Sequence, residues 1–287
     1  MARKCIITGL LLSLAFLLGT TAAAASEITL TSNYELTLQI QLFPTGDPAI
    51  PASGTISSYV TGSADYNPSE TVFDDGGGDV SAPGTVTANA SGTWLKTMTA
   101  SIDATDLGAP SFSSNLQGWG PQPEDPGDPS STGNIFPFSR NQYDWSFTAP
   151  ADGIYAVLVS GDYTIHFQLE QEAGSSYPLR RLLAYSNVLL SISHPGGSGT
   201  TEQHPFSYDE SNYPEFIPLP DVTLDLANTL SFGLLFSVQE GETVTGSLRT
   251  YDAFTGTSIV PLPSSLFLLG SGLAGVLALR RRRRRTG

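Results

Sequence analysis

Tyr34-Glu35-Leu36-Thr37-Leu38-Gln39-Ile40-Gln41-Leu42 is the stretch whose reading decides the fold. Apolar side chains at the even positions alternate with Glu35, Thr37, Gln39 and Gln41. A period of two sets one face on a core and the other in water, whereas a helix needs apolar residues three and four apart. Pro44-Thr45-Gly46-Asp47-Pro48 then ends the run in a turn. The same alternation recurs at Tyr143, Trp145 and Phe147, at Tyr163, Ile165, Phe167 and Leu169, and at Leu230, Phe232, Leu234, Phe236 and Val238.

Other segments carry the pattern less fully. Gly54 to Thr61 and Thr71 to Phe73 flank a turn at Asn67-Pro68, and Gly84 to Ala90 faces Gly92 to Ile102 across Ala90-Ser91-Gly92. Ile154 to Val159 reads as a strand that turns at Gly161-Asp162 into the next one. Arg180 to Ile192 begins ambiguously, but Val188, Leu190 and Ile192 favour a strand. Val222, Leu224 and Leu226 alternate again, and Glu240-Gly241-Glu242 turns into a last strand, Thr243 to Tyr251. Loop-rich stretches are expected near 117–133 and 193–220, where Pro, Gly and polar residues dominate. Ten to twelve strands without a long amphipathic helix predict an all-β exported region, 26–258, built as a jelly-roll-like β-sandwich of one large domain or two small ones. Trp145 to Tyr155 resembles a hairpin found in many extracellular β-sandwich modules, a number of them carbohydrate-binding. The resemblance implies that Asp152-Gly153 joins two paired strands.

Both ends of the chain differ from this middle. Arg3 and Lys4, an apolar run from Ile6 to Gly19 and the small residues Ala22 to Ala25 form a secretory signal peptide over 1–25, cleaved after Ala24 or Ala25 by signal peptidase once the Sec translocon has engaged it. Cys5, the single cysteine, leaves with it, so disulfides, thiol catalysis and Cys-ligated zinc are excluded from the mature chain. At the other end, Ile259-Val260-Pro261-Leu262-Pro263-Ser264-Ser265 leads into an apolar run, Leu266 to Leu279, followed by Arg280, Arg281, Arg282, Arg283, Arg284 and Arg285. The 21 residues from Ile259 to Leu279 would extend roughly 31 Å as a helix, the thickness of a hydrocarbon core. The arginine block stops transfer and keeps this end cytoplasmic, with the rest of the chain on the far side of the membrane.

A proline motif, a short transmembrane helix and an Arg-rich terminus together resemble the PEP-CTERM sorting signals of Gram-negative bacteria. Val260, Pro261, Leu262, Pro263 and Ser264 look like a VPLP-type variant, with Leu262 in place of the namesake glutamate. The resemblance implies recognition by an exosortase, a membrane-embedded cysteine protease-transpeptidase, and removal of the tail near the proline motif. It implies an inner-membrane precursor and a mature protein at the cell surface or in the extracellular matrix, alongside the exopolysaccharide of a biofilm or envelope. A plain membrane anchor that stays attached is the alternative.

Charge narrows the partners. Two of the 13 basic residues lie in the signal peptide and six in the tail, so the exported segment carries five against all 27 acids, a formal charge of −22. Nucleic acid is excluded as a partner, because phosphate binding needs a basic surface. Anionic lipid and anionic polysaccharide are disfavoured unless divalent cations bridge them.

Catalytic signatures are absent. There is no Gly-x-Ser-x-Gly elbow, and His166, His194 and His204 match no zinc spacing. Asp74, Asp75 and Asp79, spaced around Gly76-Gly77-Gly78, suit a hard cation such as Ca²⁺, or else form an acidic hairpin tip. Trp119, in the glycine-proline stretch, is the candidate exposed ring for a sugar. The expectation is a non-enzymatic surface or matrix protein with no catalytic residues. A carbohydrate-binding module, with or without calcium, is the alternative, and an extracellular hydrolase the weaker one.

Overall fold

The computed structural model describes residues 26–49, 51, 53–65, 69–120, 132–171, 179–210 and 219–259. The signal peptide with Ala24 and Ala25, the sorting motif Val260 to Ser264, the expected helix and the arginine block lie outside the described residues.

Among the described residues every regular element is a strand. In chain order these are β1 (Glu27–Phe43), β2 (Asp47–Pro48), β3 (Ser53–Asp65), β4 (Glu70–Asp74), β5 (Val80–Ala82), β6 (Thr85–Ala90), β7 (Thr97–Asp103), β8 (Ser111–Trp119), β9 (Thr132–Thr148), β10 (Gly153–Glu170), β11 (Leu179–His194), β12 (Gly197–Asp209), β13 (Val222–Val238) and β14 (Thr243–Ile259). They form two sheets with antiparallel pairing throughout. Sheet 1 runs β13-β10-β1-β8-β7-β6, with β2 beside β1; sheet 2 runs β12-β11-β14-β9-β3-β4, with β5 beside β3. The strands β1 and β8 to β14 make four antiparallel pairs, β1/β8, β9/β14, β10/β13 and β11/β12, divided between the two sheets. That is a jelly-roll wrapping in which the first strand of the chain closes the roll. The hairpins β3/β4 and β6/β7 extend both sheets on one side.

Inward-facing residues fill the space between the sheets in two apolar clusters. Trp145, Phe147, Tyr155, Leu190 and Val244 pack at one pole, and Ile28, Leu30, Phe167, Leu179 and Phe254 at the other. β1 begins beside Trp119 and Glu170, and β14 ends beside Thr132, with Ser258 opposite Leu179. The backbone N–H of Gly120 donates to Ser26 O (2.7 Å), and that of Leu219 to Leu179 O (3.0 Å). The chain therefore enters and leaves the sandwich at the same pole. β14, 17 residues long, spans roughly 55 Å to the far pole.

Four expectations are corrected. Gly161-Asp162 is not a turn: β10 is one 18-residue strand through it. Gly161 is needed for close approach, since a Cβ there would lie 2.0 Å from the carbonyl oxygen of Glu35 on β1. Asp152-Gly153 joins no hairpin either. β9 lies in sheet 2 and β10 in sheet 1, so Ala149 to Asp152 carries the chain across, and the Asp152 carboxylate accepts the Glu240 N–H (2.6 Å) of the neighbouring crossover. The stretch 193–220 is no loop over most of its length, because Gly197–Asp209 is β12, which pairs with β11 through backbone bonds that do not need apolar side chains. In 117–133, Gln117 to Trp119 close β8 and Thr132 and Gly133 open β9.

Candidate functional site

Alternation that buries Tyr143, Trp145, Val244, Gly246 and Leu248 turns their neighbours outward, and on sheet 2 those neighbours line up across the strands. Cross-strand register sets Ser53, Ser146, Thr245, Ser193 and Ser198 in one row, and Thr55, Asp144, Ser247, Ser191 and Thr200 in the next. Nine hydroxyls and one carboxylate thus tile the floor of a shallow groove of about 700 Å³ at the pole away from the chain ends. Four of these nine hydroxyls are engaged within the protein, Ser53 Oγ with Ser146 Oγ (3.0 Å), Thr245 Oγ1 donating to Ser193 O (3.4 Å) and Ser247 Oγ accepting from Arg249 Nε (2.9 Å).

The next rows toward mid-height change character. Ser57, Gln142, Arg249, Leu189 and Glu202 form one, and Tyr59, Arg140, Tyr251 and Asn187 the following. Four rings make a continuous stripe here. Tyr59 meets Phe73 edge-on at 5.2 Å between centroids and Phe138 at 6.2 Å, and Phe138 lies 6.1 Å from Tyr251. Phe73 is 58% exposed and the others are half-buried. The Arg140 guanidinium sits over the Tyr59 ring (5.4 Å), makes no ion pair among the described residues, and has its Nε buried without a hydrogen-bond partner there. Arg249 donates from Nε to Ser247 Oγ (2.9 Å) and from Nη1 to Tyr251 Oη (3.5 Å). Rings, guanidinium groups and free hydroxyls on one rigid sheet can stack on apolar faces and hydrogen-bond to polyols.

Directly beneath, on the inward side of the same strands, a second set of polar residues is closed on itself. Asp252 is fully buried and accepts hydrogen bonds from Ser114 Oγ (2.7 Å), Ser32 Oγ (2.9 Å) and Ser186 Oγ, while Tyr34 Oη contacts Ser186. Asn141 Oδ1 accepts from Ser58 Oγ (2.7 Å), and its Nδ2 donates to Ser113 O (3.0 Å). Burial pushes the Asp252 carboxyl above the usual carboxylate range, opposed by the hydroxyls of Ser186, Ser114 and Ser32. Burial, with the nearby Asp252 charge second, likewise raises the Tyr34 phenol.

The residues singled out from sequence sit elsewhere. Asp74 closes β4 and accepts the Asn89 N–H (2.6 Å), and Asp75 accepts the Gly77 N–H (3.1 Å) in a turn whose three glycines all have left-handed φ. With Asp79 they form no group of three ligands, and among the described residues no such group occurs. Trp119 ends β8 instead of riding a loop, and Lys96 Nζ covers its ring at 4.7 Å while pairing with Glu27 (3.4 Å). The stripe Tyr59, Phe73, Phe138 and Tyr251 was missed because its four rings come from four different strands. Cross-strand register, which a single sequence does not state, is what assembles them.

The chain leaves this domain at Ile259, and the next residues decide how it is handled. Residues 260–284 match the PEP-CTERM protein-sorting motif. The motif marks an exported protein, held transiently in the membrane and processed by an exosortase. No curated protein matches the chain. Among solved structures it is similar to an infectious bursal disease virus structure, Gx strain, at 10% identity over 92% of this chain and 90% of that one with a TM-score of 0.11. T=1 particles derived from infectious bursal virus match at 11% identity over 84% and 79%, with a TM-score of 0.08. At these scores neither carries an argument about fold or function.

Proposed function

We propose that the protein is a non-enzymatic component of the cell surface or extracellular matrix, delivered by its two ends. The Sec translocon engages the leader, signal peptidase cuts after Ala24 or Ala25, and the arginine block Arg280 to Arg285 halts the tail in the inner membrane with its end in the cytoplasm. An exosortase then processes the chain at Val260 to Ser264 and releases the domain among extracellular polysaccharide. The observation that carries this reading is the sorting motif at 260–284 following directly on a completed β-domain whose last strand ends at Ile259. The first and last described residues, Ser26 and Ile259, lie at one pole of the sandwich. A formal charge of −22 over the exported segment keeps such a domain soluble. Deleting the exosortase gene in the host tests this: the protein should accumulate in the membrane fraction at precursor mass. An unchanged, released protein in the deletion strain contradicts it.

A further inference from the structure

Within a domain so acidic, the five basic residues are not spread evenly. Arg140 and Arg249 lie diagonally adjacent on the outer face of sheet 2, and there Asp144 and Glu202 balance them. That face is locally near neutral. The outer face of sheet 1, by contrast, sets Glu35 opposite Asp162 and carries no arginine. An anionic polymer approaching any other side meets net repulsion, and on this face it gains no excess positive charge. An uncharged polyol meets neither obstacle.

We propose that the outer face of sheet 2 binds an uncharged polysaccharide chain, running along the strands from the ring stripe into the groove. Its apolar sugar faces stack on Tyr59, Phe138 and Tyr251, and its hydroxyls bond to the serine and threonine rows. Three properties of the face carry this. The ring stripe is continuous and half-buried, so its orientation is fixed before binding. Arg140 is held over Tyr59 with guanidinium donors unclaimed by any carboxylate among the described residues. The Tyr59, Arg140 and Tyr251 row lies four residues along the strands from the Thr55, Asp144 and Ser247 row, roughly 13 Å, so a chain of a few sugars reaches rings and hydroxyls together. The groove lies at the pole opposite Ile259, roughly 45 Å along β14 from the processed end, and stays open when that end is attached.

This inference rests on the matrix reading above, and its test is separable from it. The mature protein, purified from its host, is run in affinity gels cast with the host's own extracellular polysaccharide, divided by anion exchange into neutral and acidic fractions. Wild type should be retarded by the neutral fraction, with and without EDTA. Tyr59→Ala and Arg140→Ala should each weaken retardation roughly tenfold, while Leu235→Ser on the outer face of sheet 1 should not. Should Tyr59→Ala fail to fold, Phe73→Ala, whose ring is mostly exposed, and Arg140→Gln supply the same comparison. Retardation by the acidic fraction alone, loss of binding on EDTA treatment, equal binding by all variants, or no binding to the neutral fraction overturns the proposal. The matrix reading fails separately, if the protein is never found outside the cell.

Discussion

The inner and outer sides of the same four strands of sheet 2 carry the same residue types and do opposite things. Inside, Ser58, Asn141 and Thr250 sit in one cross-strand row, and Ser139, Asp252 and Ser186 in the next. Outside, an odd number of residues away along each strand, Ser57, Ser146, Thr245 and Ser191 are partly or fully exposed. The inner hydroxyls converge on Asp252 and Asn141, whereas most outer hydroxyls keep their hydrogen-bonding capacity. Parity along the strand, not composition, decides whether a serine holds the sandwich together or offers itself to a ligand.

The largest effect should come from breaking the inner set. Asp252→Ala leaves the Ser32, Ser114 and Ser186 hydroxyls without their shared acceptor and opens a void, costing about 3 kcal/mol. For a domain of this size the thermal midpoint should drop by roughly 10 °C, readable by calorimetry. Asp252→Asn, which retains shape and an acceptor, should cost far less. On β14, Gly246→Ala comes next. Its Cβ would fall 1.9 Å from the Trp145 ring, so the core must shift, at about 2 kcal/mol.

A smaller effect is the dependence on pH. Asp252 binds its proton more tightly folded than unfolded, so its penalty is absent below the unfolded value near 3.8 and complete above the raised folded value. As pH rises between those two values, wild type should lose stability that Asp252→Asn does not. Glu70 runs the other way. Partial burial tends to raise its carboxyl, but N–H donors from Thr93 (2.5 Å), Trp94 (2.9 Å) and Leu95 (3.2 Å) prevail and hold it below the usual range. Its contribution is present above the unfolded value and lost as pH falls through the folded one, and Glu70→Gln should remove that acid-side loss in denaturant titrations. Least of all, Thr245→Ala, one residue from Gly246 but facing outward, should leave stability within about 0.5 kcal/mol.

Much of the architecture was legible in the chain. Period-two runs at Tyr34 to Leu42 and Leu230 to Val238 became β1 and β13, and the two segments flanking Ser91 paired as β6/β7, though over a connection of residues 91–96 and not the tight turn at Ala90-Ser91-Gly92. Failures came where backbone pairing overrode side-chain signals. Gly161 reads as a turn residue because nothing local reveals Glu35 beside it, and β12 carries too few apolar residues to announce a strand. The candidate face was illegible for a related reason. Tyr59, Phe138 and Tyr251 are far apart in sequence and meet only through register, while Ser32, Ser114 and Ser186 look like interruptions of apolar runs until Asp252 is placed among them.

The export account meets its most direct test in the intact mass of the protein recovered from outside the host cell. The account predicts a chain beginning at Ala25 or Ser26 and ending within Val260 to Ser264, without the residues from Leu266 onward. A mass that includes Arg280 to Arg285 would contradict it.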